Sequence, residues 1–391
     1  MIKFLKSAAK SIIPPTMYGK VSIMYEKALS SFSYSVLNKK KIAQALSMLE
    51  DDCPDEIAIK EAAVKYLRGK RVRGCGLIGN SVNFTRNSIS HCCGFDNKED
   101  VTRICDFDGG PFPFDVYIKS YKKFIFQNIL RQCNCAGCKY LSYIYPPYEF
   151  EFFKSLSLNH FWGCNLKCNF CREKNRVGEG NVYNILPVFQ ELYDKGYMRE
   201  ETVVSWGGGE LTLYKYVDEA LLFCLERNIP QEIHTSGVLF SELIAQSLKD
   251  ERSFLRISID SGTPQTYMKV KGVDCFYKVW ENVKRYRKHG KVIVKYVILM
   301  DNSDINDLLG FVQKCKEVDI NSIEIVPEFV SYAAAHNRIS GKKNAYTAIH
   351  SKIDIDFYIE IAKTLRKEAL SKGISVSLVH WYVEDKNRIL S

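Results

Sequence analysis

The chain has 391 residues, 46% of them hydrophobic, and carries 55 Lys and Arg against 45 Asp and Glu, a net charge of +10; this suits one large domain with one or two smaller ones. The basic excess is spread along the chain rather than gathered on one stripe, which argues against nucleic acid as the partner. The fourteen cysteines fall at metal-ligand spacings and not in a disulfide framework, no secretory leader is read at the start, and no run of about 18 apolar residues could span a membrane, so a reducing cytoplasm is the expected location.

Residues 1–70 read as a helical N-terminal segment. Ile2, Leu5, Ile12 and Ile13 alternate with Lys3, Lys6 and Lys10, and Pro14 and Pro15 end the run. This basic amphipathic helix either docks on the core or touches a membrane surface through residues 2–13. Residues 71–150 are cysteine-rich. They contain strand-like runs at Leu77–Phe84 and Ser88–Ser90, joined by the turn at Arg86 and Asn87, and a helix near Ile118–Leu130. Cys75, one of Cys92 and Cys93, one of Cys133 and Cys135, and Cys138 would supply four thiolates to a second metal site, iron–sulfur or zinc. Cys105 reads as a buried thiol.

Residues 151–330 alternate apolar strands with amphipathic helices. Strands are expected at Leu156–Trp162, Thr202–Trp206, Glu232–Thr235, Leu255–Asp260, Val292–Leu299 and Ser322–Pro327. Helices are expected at Tyr183–Lys195, Leu213–Arg227, Leu239–Ser247, Gln265–Lys288 and Asp304–Val318. The pattern predicts an α/β fold, a partial (β/α)6 TIM-like barrel. In such barrels the active site lies at the C-terminal ends of the strands. Residues 331–391 hold a helix at Asp354–Lys372, a strand-like segment at Ile374–Val379 and a charged tail.

The candidate site residues fall at those strand ends. Cys164, Cys168 and Cys171, spaced C-x3-C-x2-C, follow the first strand. Three thiolates on one loop leave one iron of a [4Fe–4S] cube open to a ligand, whereas structural zinc usually draws four ligands from paired units. Gly207, Gly208, Gly209 and Glu210 follow the second strand, where glycine permits close backbone approach and the carboxylate can anchor an ammonium. His234 and Ser236 end the third strand, and Ser258 and Asp260 the fourth. His234 and Asp260 are the catalytic candidates, and Lys295, Glu324 and Glu328 on later strands could meet substrate or cofactor.

These motifs, in this order, resemble the radical S-adenosylmethionine (SAM) superfamily across about residues 155–330: the Trp162–Cys171 run, Trp206–Glu210, and Ser258 through Pro264 to Gly272. The resemblance implies that Cys164, Cys168 and Cys171 hold a [4Fe–4S] cluster whose open iron takes SAM. It implies that Gly208, Gly209 and Glu210 hold the methionine amino group, that Phe170 packs near adenine, and that Ser236 and Ser258 contact ribose or carboxylate. The implied chemistry is reductive cleavage of SAM to a 5′-deoxyadenosyl radical that abstracts a substrate hydrogen. The segment from Cys75 to Cys138 more loosely resembles the SPASM or twitch extension and its auxiliary Fe–S cluster, here placed before the barrel instead of after it. The expected outcome is oxidation or modification of a peptide or protein residue, fed by a reducing donor such as flavodoxin or ferredoxin. A sugar or alcohol dehydrogenase or epimerase, a glycyl-radical activating enzyme and a non-catalytic Fe–S scaffold are the alternatives.

Overall fold

Alternation along the strands shows how the sheet is used. In the computed structural model, which describes residues 72–74, 80–92, 102–129, 142–144, 150–171, 182–339 and 354–391, the strands are β1 (Val72–Gly74), β2 (Ser81–Thr85), β3 (Ser88–Ser90), β4 (Arg103–Asp106), β5 (Ser142–Ile144), β6 (Ser155–Asn159), β7 (Val203–Trp206), β8 (Gln231–Thr235), β9 (Phe254–Ser258), β10 (Val292–Ile298), β11 (Ser322–Pro327) and β12 (Ser375–Leu378). The helices are α1 (Phe114–Ile129), α2 (Leu186–Asp194), α3 (Val217–Glu226), α4 (Glu242–Ser247), α5 (Pro264–Lys271), α6 (Phe276–Arg287), α7 (Ile305–Glu317), α8 (Phe329–Ile339), α9 (Ile355–Ser371) and α10 (Val383–Leu390).

The chain divides into two compact units, residues 1–78 with 118–150, and residues 79–117 with 151–391. In the first unit β1 pairs antiparallel with β5, Val72 opposite Ile144. The second unit holds a ten-stranded sheet in the order β12-β11-β10-β9-β8-β7-β6-β2-β3-β4. Strands β6 to β12 run parallel in sequence order, and β2 lies parallel to β6. Only β3 and β4 run antiparallel to their neighbours in this sheet.

All six strands expected of the barrel are present, as β6 to β11, and the sheet extends beyond them at both margins. On the far side β12 pairs with β11. On the near side, residues 81–106, which the sequence groups with the cysteine-rich segment, hydrogen-bond into the main sheet through β2 and β6, Ser81 opposite Ser155 and Phe84 opposite Leu158. The reason is apolar. Phe84, Phe107, Phe112, Tyr117, Phe153 and Tyr183 form one ring cluster with centroids 5.0–6.5 Å apart. Truncating a buried ring of this kind to Ala costs about 3–5 kcal/mol.

Parallel sheets covered on both faces read as continuous apolar runs. Here β6 to β9 do not. Leu156, Leu158, Val204, Trp206, Ile233, Leu255 and Ile257 are fully buried, while Ser157, Asn159, Ser205, Glu232, His234, Arg256 and Ser258 between them are half-buried. Helices cover the apolar face: Phe189 of α2 meets Trp206 at 6.1 Å and Phe311 of α7 meets Tyr296 at 4.8 Å. The polar residues line the opposite, inner face of the sheet.

Two expectations are corrected. The single helix at Gln265–Lys288 is two helices, α5 and α6. Gly272 ends α5 in the left-handed region at φ 71° and donates to Met268 O, which closes the helix, and α6 restarts only at Phe276. The charged tail contains α10, with Ile389 and Asp385 buried on one face. The residues of the N-terminal helical expectations, 1–70, lie outside the described residues.

Candidate active site

The cysteine loop leaves β6 at His160 and runs to Cys171, held from two sides. Lys167 N donates to Lys271 O at 2.9 Å and Asn169 N to Val270 O at 3.0 Å, so the loop rests on the last turn of α5. That approach needs Gly272, because a Cβ there would sit 2.8 Å from Lys167 O. On the other side Gly209 N donates to Phe161 O at 2.8 Å and Glu210 N to Gly163 O at 2.7 Å. Gly208 has φ 85°, and a Cβ would lie 2.6 Å from Phe161 O. The glycines are therefore needed to let the two loops pack against each other, a closer constraint than ligand approach. The Gly209 and Glu210 amides are spent on that packing, while the carbonyl oxygens of Gly208 and Gly209 accept no bond among the described residues.

Cys164, Cys168 and Cys171 are all half-buried free thiols. Desolvation pushes the Cys164 thiol up to about 11; the Leu166 amide, 3.5 Å from its sulfur, pulls the other way, and Glu210, Cys168 and Cys171 push it further up. Cys168 is raised by the same burial, with Lys271 opposing it. Neighbouring thiols thus add to the rise at Cys164 and Cys168, and a metal that replaces the protons relieves that repulsion. Among the described residues no three His, Cys, Asp or Glu are grouped as for a single metal ion. Three cysteines on one loop are a donor set of the kind that holds a four-iron cluster, which distributes its thiolates over separate irons.

Glu210 is 1% exposed. Its Oε1 accepts from Thr212 N at 3.2 Å, Thr212 Oγ1 at 2.7 Å and Thr235 Oγ1 at 2.7 Å, and its Oε2 from Ser236 N at 2.6 Å. The carboxylate clamps the end of β7 to the end of β8, and only Oε2 keeps capacity for a further donor. Ser236 Oγ bonds the Asn165 amide at 3.0 Å, and the other end of that amide is buried without a partner inside the cysteine loop. An unsatisfied buried amide beside the thiols is what a bound group in that loop would explain.

Phe170 packs against Val270, Val297, Leu299 and Val326, an apolar ledge at the ends of α5, β10 and β11. The Lys271 ammonium lies 5.3 Å from its ring. Lys271 is 1% exposed and ion-paired with Asp260. Burial lowers the Lys271 pKa, but Asp260 and the neighbouring Cys168 outweigh it and leave it raised.

The catalytic candidates part company here. Asp260 is wholly buried at φ 57°, one oxygen bonded to Val297 N at 2.7 Å and the other to Lys271. Both its oxygens are thus engaged within the protein, on Lys271 and the β10 backbone. His234 stays half-exposed on the inner face, its Nε2 2.7 Å from Arg256 Nη1 and 3.3 Å from Glu232 Oε1. Burial lowers its pKa, the Glu232 bond raises it, and Arg256 and Lys295 lower it, for a net fall. Ser258 and Lys295 are paired in register on the same face, and Glu324 follows on β11. Glu328 caps α8 through Val330 N and Ser331 N at 2.9 and 2.7 Å. Cys92 is a half-buried thiol; Cys75, Cys93, Cys133, Cys135 and Cys138 lie outside the described residues.

Sequence reasoning missed the Lys271–Asp260 pair, the Arg256 lattice and His160. His160 is fully buried and both its ring nitrogens lack partners. It sits among Phe161, Tyr183 and Tyr214 at 4.7–5.3 Å, and burial lowers its pKa to about 3. Arg256 was detectable: a charge at an inward position of an otherwise apolar strand is a signal.

The profile of the Radical SAM superfamily matches residues 158–315. An uncharacterized protein of Methanocaldococcus jannaschii is 26% identical over 215 residues, 54% of this chain and 69% of that protein. A probable GTP 3′,8-cyclase of Saccharolobus islandicus is 23% identical over 245 residues, 58% of this chain and 73% of that protein. Among solved structures, Streptococcus suis SuiB bound to the precursor peptide SuiA superposes with a TM-score of 0.46 at 17% identity, covering 69% of this chain. The chain spans about half the length of SuiB, 55%. No helix among the described residues is long and apolar enough to cross a membrane. The cysteine loop and the Gly207–Glu210 turn thus lie within the residues that match the Radical SAM superfamily profile.

Proposed function

We propose that the protein is a radical SAM enzyme in which Cys164, Cys168 and Cys171 hold a [4Fe–4S] cluster. A cluster held there supplies the electron that cleaves bound SAM to methionine and a 5′-deoxyadenosyl radical. The observation that carries this reading is the trio of half-buried thiols at the end of β6, within each other's field and clamped between the Gly207–Glu210 turn and α5.

The chain's own residues would do the following. The carbonyls of Gly208 and Gly209, and Oε2 of Glu210, accept from the methionine ammonium. The Phe170 ledge receives the flat adenine. Ser236 and Ser258 offer hydroxyls to ribose or carboxylate. The inner face of the sheet, lined by polar side chains, positions substrate, and the protein keeps water from the reacting centre.

For the substrate, a peptide or protein residue is the first reading, resting on the cysteine-rich segment and its likeness to the SPASM or twitch extension. The cysteine-rich segment would hold an auxiliary cluster that accepts the substrate electron, with a flavodoxin- or ferredoxin-class protein reducing the first cluster. A small-molecule substrate is the second reading, favoured by the charged inner face of β8 to β11.

The test is anaerobic reconstitution followed by iron and sulfide quantification and incubation with SAM and a strong reductant. Formation of 5′-deoxyadenosine by wild type, and its loss with one cluster's iron in the Cys164→Ala/Cys168→Ala/Cys171→Ala variant, is expected. Unchanged iron content in that variant refutes the site.

A further inference from the structure

The inner face of the sheet carries charges that the cysteine loop and the Gly207–Glu210 turn do not use. Glu232 and His234 on β8, Arg256 and Ser258 on β9, Lys295 on β10 and Glu324 on β11 share it. His234 is opposite Arg256, and Ser258, Lys295 and Glu324 form one row across three strands. That row lies one step nearer the C-terminal strand ends, toward the cysteine loop.

Arg256 bridges the two rows. Its Nε and Nη2 donate to the two oxygens of Glu324 at 2.6 and 2.7 Å, a bidentate pair, and its Nη1 donates to Glu232. The Lys295 ammonium makes no hydrogen bond or ion pair among the described residues, although the residue is half-buried in a strand whose other positions are all buried. The Glu324 carboxylate that shares its row is already taken by Arg256. Asp260 and Glu324 act on the ammonium only through their field, so its donors stay open to an anionic group of a ligand.

The neighbouring groups are donors too. His234 Nε2 is engaged by Arg256 Nη1 at 2.7 Å and Glu232 Oε1 at 3.3 Å, which leaves Nδ1 as the ring nitrogen open to a ligand. The Ser258 hydroxyl has no partner among the described residues. We infer that Lys295 and His234 seat an oxyanion of the substrate, a carboxylate or phosphate group. Lys295 is its ion-pair partner, and Arg256 is a positioning residue that orients His234. This rests on the radical SAM reading only for what the bound substrate then undergoes; the anion site is tested by binding alone.

The experiment titrates the anaerobically reconstituted protein with pyrophosphate and, separately, with N-acetylglutamate by calorimetry. S-adenosylhomocysteine is titrated in parallel. Wild type is expected to bind one of the two probes saturably, with affinity reduced about tenfold or more in Lys295→Met and largely kept in Lys295→Arg. S-adenosylhomocysteine affinity should be the same in all three. Removing an unpartnered cation leaves no group stranded, so Lys295→Met should fold and melt no lower than wild type. Pyrophosphate binding alone assigns a phosphate-bearing substrate, and N-acetylglutamate binding alone a carboxylate-bearing one. Absence of binding to wild type, or equal binding by Lys295→Met, overturns the inference. So does a parallel loss of S-adenosylhomocysteine affinity, which would give Lys295 to the cofactor. Missing iron or missing 5′-deoxyadenosine in wild type refutes the proposed function instead, and is measured independently.

Discussion

Replacing Lys271 by Met would leave the Asp260 carboxylate fully buried with the Val297 amide as its remaining partner. Lys271 is 1% exposed and Asp260 0%, so water cannot take over from the lost ammonium. Breaking a buried pair from one side costs about 3–5 kcal/mol, because the other charge is stranded. In a unit of this size that lowers Tm by roughly 10 °C. The double variant Lys271→Met/Asp260→Asn removes both charges while keeping an acceptor for Val297 N, and should recover most of the loss. Thermal melts of the metal-free wild type, both single variants and the double variant form the cycle. A double variant as unstable as the two singles summed would refute the pair as a coupled unit. So would a Lys271→Met melt within about 2 °C of wild type.

Two further outcomes follow from the packing around the cysteine loop. His160 has its folded pKa depressed to about 3, so between its ordinary value near 6.5 and that point the unfolded chain binds a proton the folded chain refuses. Stability therefore falls with pH through this window by about 1.4 kcal/mol per unit. His160→Phe removes that slope, and melts from pH 7 to pH 5 should show the variant gaining about 2 kcal/mol on wild type; parallel slopes would contradict the buried neutral imidazole. Gly208→Ala forces a side chain into φ 85° and onto Phe161 O. The conformational penalty alone is about 1–2 kcal/mol, but the larger effect should be displacement of the cysteine loop, read as iron bound after reconstitution below that of a Gly237→Ala control.

The parts of the site legible in the sequence were those in which chemistry and spacing coincide: three cysteines in a loop, glycines before a buried glutamate, and apolar runs of strand length. Their structural meaning was only half legible. The Gly207–Glu210 turn reads as a ligand cradle, whereas the Gly209 and Glu210 amides and the Cβ space of Gly208 and Gly209 are taken up by the loop from Phe161 to Gly163. Asp260 reads as a base, yet its carboxylate is enclosed with Lys271 eleven residues on. Such pairings depend on tertiary contact and leave no periodic trace. The break between α5 and α6 shows the opposite case: Gly272 was visible, but the helical pattern on either side of it hides a left-handed cap. The β2–β4 extension was obscured because its strands are short and the cysteines around them suggested a separate domain.

That extension alters the margins of the sheet. Without it the backbone of β6, the strand that delivers the cysteines, would present open amides and carbonyls to any neighbouring chain. With it, the outermost strands are β4 and β12. The first is four residues long, ends in the charged pair Arg103 and Asp106, and meets β3 through a register shift at Ile89 and Ser90. The second is also four residues and carries exposed serines. Short, charged or hydroxyl-bearing rims are poor templates for intermolecular β-pairing. The strand that delivers the three cysteines is thereby kept out of self-association.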